Sequence, residues 1–127
     1  MHVKITVVQF SIRGDSELSL QEMGTRVGEA VGCQFRVGKY VRTEALITEF
    51  LGAKVGLYCR PAPVGNIFGF SGHLEDAALV AGPDGEAVEI EVLDLGPAIA
   101  HLLRIRSLGD WHLPSEEELT ADREYYS

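Results

Sequence analysis

Alternation of apolar and polar side chains is clearest over residues 45–60, ALITEFLGAKVGLYCR. A period of two is that of a pleated strand, and Gly52 allows the positive φ that a turn between two such strands requires. Alternate residues lie on one face of each predicted strand. They are Leu46, Thr48 and Phe50 before the turn, and Val55, Leu57 and Cys59 after it. The pattern predicts an antiparallel hairpin that turns at residues 51–53 and serves as scaffold, because neither strand carries a nucleophile or a ligand cluster.

The step of three and four residues that is typical of a helix first appears after Ser19. Ser19 and Glu22 form a capping box, in which each side chain accepts a hydrogen bond from the backbone N–H of the other residue. Gly32 is expected to end the helix, because glycine favours the left-handed conformation found at that position. The predicted buried stripe consists of Leu20, Met23, Val27, Ala30 and Val31.

Two more helices are predicted in the last third of the chain. Asp94 is the expected cap of the first, which closes at Gly109. Its predicted core side chains are Ile99, Leu102, Leu103 and Ile105. A second capping box, Ser115 with Glu118, opens a short helix that we expect to fray from Asp122 onward.

Strand patterns also precede the hairpin. Residues 3–12 form the first strand, and its apolar phase slips by one position at residues 7–8, which predicts a bulge there. Glycines mark two predicted turns, at residues 13–15 and at residues 38–39.

Strand patterns continue after the hairpin. Residues 67–73 predict a strand, residues 76–81 are compatible with another, and Pro-Asp-Gly at 83–85 predicts a tight turn. Residues 86–93 alternate cleanly. In that last strand the inward side chains are predicted to be Val88, Ile90 and Val92, and the outward ones Glu89 and Glu91.

These elements predict a single α+β domain over residues 1–127. Short turns between successive strands permit antiparallel neighbours, so we expect an antiparallel, mostly meandering sheet of five or six strands. Each of the two main helices offers one apolar stripe, which places both on one face of the sheet, with a short C-terminal helix in addition.

Charge is distributed unevenly along the chain. The net charge is −8, with eight basic and six acidic side chains in residues 1–70 but three basic and thirteen acidic ones in residues 71–127. Such a field repels nucleic acid and anionic membrane and favours a basic protein partner. The alternative is an acidic surface that only keeps the protein soluble.

Location follows from features that the chain lacks. No apolar run approaches the length of a membrane span, and the N-terminus enters a strand pattern without a signal peptide. We therefore expect a cytoplasmic protein, with Cys33 and Cys59 as buried, inert thiols.

Catalytic patterns are weak, and we expect neither an enzyme nor a metal or cofactor site. The four histidines form no ligand pair. Ser71 and His73 share a strand face near Asp76, but they lack the glycine-flanked elbow of a serine hydrolase. Glu89 and Glu91 resemble a carboxylate pair and are explained more simply as the outward half of a strand.

A binding surface is the stronger expectation. Aromatic side chains lie among carboxylates in the C-terminal segment, as in interfaces where aromatic residues anchor and charges steer. The candidate partner-binding residues are Glu89, Glu91, Asp110, Trp111, Glu116, Glu117, Glu118, Asp122, Tyr125 and Tyr126. The alternative is that Trp111 packs the tail onto the core and that the carboxylates are merely solvated.

The order of elements resembles that of immunity proteins of bacterial polymorphic toxin systems. The resemblance rests on the acidic character, the capped helix after the first strand, the segment ALITEFLGAKVGLYCR and the tail WHLPSEEEL. It implies a non-catalytic inhibitor that binds a cognate toxin, such as a nuclease or deaminase with a basic cleft, and occludes its active site. Two alternatives remain. One is a small enzyme that uses Ser71, His73 or the carboxylates of the strand over residues 86–93, and the other is a secretion chaperone or adaptor.

Overall fold

A computed structural model describes residues 3–50, 52–74 and 88–127. Within them the chain forms six strands and three helices. In chain order these are β1 (Val3–Ser16), α1 (Leu20–Val31), β2 (Arg36–Tyr40), β3 (Thr43–Phe50), β4 (Ala53–Pro61), β5 (Asn66–Leu74), β6 (Val88–Asp94), α2 (Gly96–Ile105) and α3 (Glu116–Tyr126). The predicted strand at 76–81 and the predicted turn at 83–85 lie outside the described residues.

The six strands form one sheet in the order β2-β3-β4-β5-β1-β6, so the α+β class is confirmed. The predicted hairpin is confirmed as β3 and β4, which pair Leu46 with Leu57 and close at Phe50 and Ala53. Gly52 has the positive φ expected at the turn, 81°. All neighbours from β2 to β5, and β5 with β1, are antiparallel.

The sheet is mixed rather than antiparallel throughout, because β1 and β6 run parallel. The first half of β1 pairs with β6 and its second half pairs with β5, each in a continuous register. The predicted bulge at residues 7–8 is therefore wrong. What changes along β1 is its neighbour, from β6 to β5 after Gln9.

Two predicted turns are wrong because they lie inside strands. Residues 13–15 continue β1, where the ring of Trp111 occupies the space beside Gly14, 2.8 Å from the position of a Cβ atom. Residues 38–39 belong to β2, and the chain turns instead at Val41 and Arg42, which have φ values of 53° and 98°.

The core occupies one face of the sheet. Fully buried side chains of α1 and α2, such as Met23 and Leu103, pack with those of the strands. The largest fully buried members are Trp111, Phe68, Phe70, Ile12, Met23, Leu57, Leu103 and Val27. Burying this apolar area is the main favourable contribution to folding, about 25 cal/mol per Å².

Two of the three predicted N-terminal caps are correct. Both capping boxes, at Ser19 and Ser115, are present, and Gly32 is left-handed at φ 77°. The α2 helix begins one residue later than predicted, because Leu95 is its cap, although Asp94 still accepts from the N–H of Gly96 at 2.8 Å. It also ends earlier, and Ile105 is exposed rather than in the core. The α3 helix does not fray at residue 122.

The edge strand β6 departs from its predicted burial. Ile90 and Val92 are 40% and 54% exposed, so the prediction that they face inward is wrong. The strand lies at the end of the sheet and has β1 as its single neighbour. Glu89 and Glu91 are exposed, as predicted.

Candidate functional site

Arg13 lies on β1, on the sheet face opposite the core, and it is 9% exposed although it is charged. Side chains alternate along β1, so Arg13 faces away from Ile12. Its Nε lies 2.9 Å from Asp122 Oδ2, and its Nη1 lies 2.6 Å from Glu118 Oε2. The hydrogen bond to Asp122 raises the pKa of Arg13 despite partial burial. A guanidinium this buried requires such carboxylate partners.

Arg60 of β4 binds the same carboxylate. Its Nε and Nη2 lie 3.0 and 2.8 Å from Asp122 Oδ1. Since β5 lies between β4 and β1, Asp122 joins two strands that are not neighbours. The guanidinium carbon of Arg60 is also 5.3 Å from the ring centroid of Tyr125, within the range of a cation–π contact.

His112 completes the group. Its Nε2 lies 2.9 Å from Glu118 Oε1, and its Nδ1 lies 2.7 Å from the carbonyl oxygen of Asp110. Both ring nitrogens face acceptors, which favours the doubly protonated imidazolium. The carbonyl of Asp110 raises the pKa of His112; burial opposes this, and Glu118 reinforces it.

The pKa of Glu118 is shifted in the opposite direction, downward. Burial alone would raise its pKa, but the backbone N–H of Ser115, with His112 and Arg13, holds the pKa below its ordinary value. Glu118 and Asp122 are four residues apart and therefore share one side of α3. We call the five residues that fix this side of the helix to the sheet the α3 network: Arg13, Arg60, His112, Glu118 and Asp122.

Tyrosines cover the sheet beside the α3 network. The ring of Tyr40 fills the space above Gly56, and the ring of Tyr58 fills the space above Gly69. The two rings are nearly parallel, at 15°, with centroids 5.7 Å apart. Tyr126 of α3 meets Tyr58 edge-on at 5.6 Å. Glycine at these strand positions lets an aromatic side chain lie against the backbone.

Three hydroxyl groups of this layer, those of Tyr58, Ser71 and Ser11, are linked by hydrogen bonds, and a separate hydrogen bond joins Tyr40 to His73. Tyr58 Oη lies 3.1 Å from Ser71 Oγ, which lies 3.1 Å from Ser11 Oγ. Tyr40 Oη lies 2.6 Å from His73 Nδ1. Ser71 and His73 thus share a face, as predicted, but Ser71 bonds to Ser11 and Tyr58 rather than to His73. Asp76 lies outside the described residues.

Trp111 is fully buried. Its indole N–H donates to the carbonyl of Leu108 at 3.0 Å, and its ring packs 6.3 Å from that of Phe68. A side chain with no accessible surface cannot contact a partner, so the structure favours the alternative in which Trp111 packs the tail onto the core.

The other predicted binding residues of the C-terminal segment divide into three groups. Glu118, Asp122 and Tyr126 face the sheet and contact it. Asp110 is exposed, but it accepts from the N–H of Asp15 at 2.8 Å. Glu116, Glu117 and Tyr125 are exposed.

Glu89 and Glu91 are not brought to the α3 network. Both lie on β6, which pairs with residues 3–9 of β1 and not with the part that carries Arg13. Glu91 Oε2 is 3.4 Å from Lys4 Nζ. No hydrogen bond or ion pair joins the described residues of β6 to α3.

Metal and thiol chemistry find no support in the part of the chain that the structure describes. It contains no group of three or more His, Cys, Asp or Glu side chains that could hold a metal ion. Cys33 and Cys59 are half-buried and unpaired, and burial raises the pKa of both thiols. A raised pKa disfavours the reactive thiolate.

No helix in the described ranges is long and apolar enough to cross a membrane. Comparison with protein-family models, curated proteins and solved structures found no match to this chain.

Three members of the α3 network, Arg13, Arg60 and His112, were not among the predicted site residues. A detectable signal for Arg13 was its position in a strand pattern, two residues after Ser11 and on the face opposite Ile12. A second signal was the i, i+4 spacing of two carboxylates in the last helix, which places both on one side.

Stability should depend on the pH through His112 and Glu118. The raised pKa of His112 contributes stability below its ordinary value of 6.5 that is lost as the pH rises through the raised value. The lowered pKa of Glu118 contributes stability above its ordinary value of 4.5 that is lost as the pH falls through the lowered value. Both contributions are therefore complete between these ordinary values.

His112→Gln tests this window. We expect the melting temperature of the wild type to exceed that of the variant most near pH 6, and the difference to shrink toward pH 9 as His112 loses its proton. Circular dichroism melts at constant ionic strength measure both proteins. A difference that stays constant across this range would show that the charge of His112 does not stabilise the fold.

Proposed function

We propose that this protein is a cytoplasmic, non-catalytic immunity-type inhibitor that binds a cognate bacterial toxin with a basic surface. The observation that carries the proposal is the two-sided character of α3. Its inner side is fixed to the sheet by Glu118 and Asp122. Its outer side leaves Glu117 and Glu124 exposed, without an ion pair to any described residue, beside Tyr125, which is 53% exposed.

Glu117 and Glu124 are seven residues apart, or two helical turns, so they lie on one side of α3. No residue of α3 is buried, which means that the helix contributes little to the core. A helix that is held by its inner side and carries carboxylates on its outer side is preorganised for a partner. Preorganisation reduces the entropy lost on binding.

Charge and aromatic contact would then have separate roles. Exposed carboxylates raise the rate of encounter with a basic surface. Tyr125 offers a ring for contact, and its other neighbours, Arg60 and Tyr126, limit its motion. Exposed tyrosine is enriched in interfaces for this reason. Glu116 and Asp110 extend the acidic surface at the start of the helix, and the exposed Glu89 and Glu91 of β6 add to the negative field at a distance.

The proposal is tested by expressing, in a bacterial host, the C-terminal domain of each protein encoded beside this gene. We expect one of these domains to arrest growth and co-expression of this chain to restore it. Gel filtration of the purified pair should give a stoichiometric complex. If no neighbouring product arrests growth, or if arrest persists despite soluble expression of this chain, the proposed function is wrong.

Charge reversal at Glu117→Lys with Glu124→Lys should slow association with the toxin domain by about tenfold or more, because steering is lost. Fast mixing or surface plasmon resonance measures the rate, and the wild-type rate should fall steeply as the salt concentration passes about 0.1 M. Lysine is unfavourable near the start of a helix and favourable near its end, so the two effects on stability largely cancel. Glu118 is left intact because it binds Arg13.

The matched control is Glu17→Lys with Glu29→Lys, which makes the same change in net charge at exposed positions before and within α1. We expect its association rate to fall much less. Equal slowing by the two double variants would mean that only net charge matters, and unchanged association of the α3 variant would exclude α3 as the interface.

A further inference from the structure

A cavity of about 500 Å³ lies between the C-terminal half of α3 and the turn that joins β2 to β3. Its volume is in the range of sites for small molecules. The lining residues that matter here are Ser11, Tyr40, Arg42, Tyr58, Arg123 and Tyr126. None of the functions considered above uses this space.

Two of the arginines that line the cavity have no carboxylate. Arg42 and Arg123 are exposed, and neither makes a hydrogen bond or ion pair with any described residue. Arg13 also lines the cavity, but Asp122 and Glu118 occupy its guanidinium. Asp122 lines the cavity as well, but Arg13 and Arg60 bind its carboxylate. In a chain of net charge −8, the two unpaired guanidiniums therefore form a local positive site.

The turn that carries Arg42 is strained. Val41 has φ 53° and Arg42 has φ 98°, a region that β-branched and bulky residues rarely adopt. Two-residue hairpin loops adopt such φ values in type I′ turns, and non-glycine residues held there are also found at ligand sites. This turn brings Arg42 to the cavity, which Arg123 of α3 also lines.

The hydroxyl chain supplies a further donor. Tyr58, Ser71 and Ser11 have three hydroxyl protons, but the two hydrogen bonds among them use only two. The distances permit the order in which Tyr58 donates to Ser71 and Ser71 donates to Ser11. The proton of Ser11 is then free, and Ser11 is exposed at the cavity.

We infer that the cavity binds a small organic oxyanion, a carboxylate or phosphate monoester carried on a flat ring. Arg42 and Arg123 pair with the oxyanion, because planar guanidiniums match carboxylate and phosphate oxygens. Ser11 donates a third hydrogen bond. The ring contacts the tyrosines and the apolar side chains of Val41 and Leu119, which also line the cavity.

The test uses phenyl phosphate and benzoate as probes, titrated into the full chain and followed by NMR chemical-shift changes. We expect saturable binding of at least one probe, and their relative affinity identifies the preferred oxyanion. Arg42→Gln and Arg123→Gln should each weaken binding by about tenfold, the usual effect of one charge-assisted hydrogen bond. Ser11→Ala should weaken it by roughly threefold.

Arg26→Gln is the control, since Arg26 is an exposed arginine of α1 on the core side of the sheet. Its affinity should equal that of the wild type. Benzyl alcohol, which has the ring without the charge, should bind much more weakly. Equal binding of benzyl alcohol, wild-type affinity in Arg42→Gln and Arg123→Gln, or no saturation of either probe would each overturn the inference. All these variants keep Glu117 and Glu124, so the result is independent of toxin binding.

Discussion

Replacing Trp111 with alanine is expected to lower the free energy of unfolding by about 3–5 kcal/mol, the usual range for a fully buried aromatic side chain. The indole has no accessible surface and lies against Phe68 and Gly14. Alanine would leave a cavity and remove the hydrogen bond from the indole N–H to Leu108. Arg104 also donates to the backbone carbonyl of residue 111, and this contact remains.

Urea denaturation followed by circular dichroism measures this change, and the melting temperature should fall by roughly 10 °C or more for a chain of this length. Tyr125→Ala is the matched control, an aromatic residue of the same segment that is 53% exposed. We expect it to change stability little. A loss below about 1 kcal/mol for Trp111→Ala would contradict its assignment to the core.

The difference between these two aromatic residues marks the limit of the sequence analysis. Both lie among carboxylates in the same segment, and nothing within that segment distinguishes them. What distinguishes them is a distant residue. Gly14 leaves room for the indole ring on β1, and the backbone of Arg13 pairs with that of His112 in both directions, at 2.9 Å.

Elements with complete local signals were predicted well. The β3–β4 hairpin has strict alternation and a glycine that turns with positive φ, and α1 has a capping box and a left-handed glycine. Each of these signals lies within a few residues of the structure that it specifies. Local stereochemistry decides such elements, so the sequence is sufficient.

Elements decided by distant contacts were predicted poorly. Gly14 and Gly38 suggested turns, yet both lie in strands where Trp111 and Ile47 fill the space of a side chain. The turn at Val41 lacks any turn-favouring residue. The parallel pairing of β1 with β6 joins segments more than 80 residues apart, and no local pattern specifies it.

In the candidate site, too, local features were predicted and features that depend on distant contacts were not. The concentration of carboxylates in the last helix was visible in the sequence, but their orientation was not. Glu118 and Asp122 face the sheet because Arg13 and Arg60 meet them there. Glu117, one position away, stays outside. The i, i+4 spacing shows that the two carboxylates share one side of the helix. It does not show that this side faces the sheet, because that depends on the arginines that bind them.

Arg13→Met is expected to lower the free energy of unfolding by about 2 kcal/mol. Removing one partner of a buried ion pair has a larger effect, about 3–5 kcal/mol, but here both carboxylates are about a quarter exposed and keep other partners. Asp122 retains Arg60, and Glu118 retains His112. Methionine preserves most of the apolar contact of the arginine stem, so the change reports mainly the lost charge.

Arg36→Met is the matched control. Arg36 also makes two hydrogen bonds from a strand of the same sheet to one carboxylate, Glu49, at 2.9 and 2.5 Å. That pair is exposed, at 56% and 60%, so its removal should leave the denaturation midpoint almost unchanged. If both variants lost the same stability, burial of Arg13 would have no special role.

Amide hydrogen exchange locates the effect of Arg13→Met. We expect the amides of α3 to exchange faster than in the wild type, while those of α1 change only as far as global stability does, because α3 has no buried residue that would hold it in place. Equal protection of α3 in both proteins would mean that its contact with Tyr58 suffices. If α3 is the toxin-binding helix, the variant should also bind more weakly, although it leaves Glu117 and Glu124 untouched, because the helix is no longer preorganised.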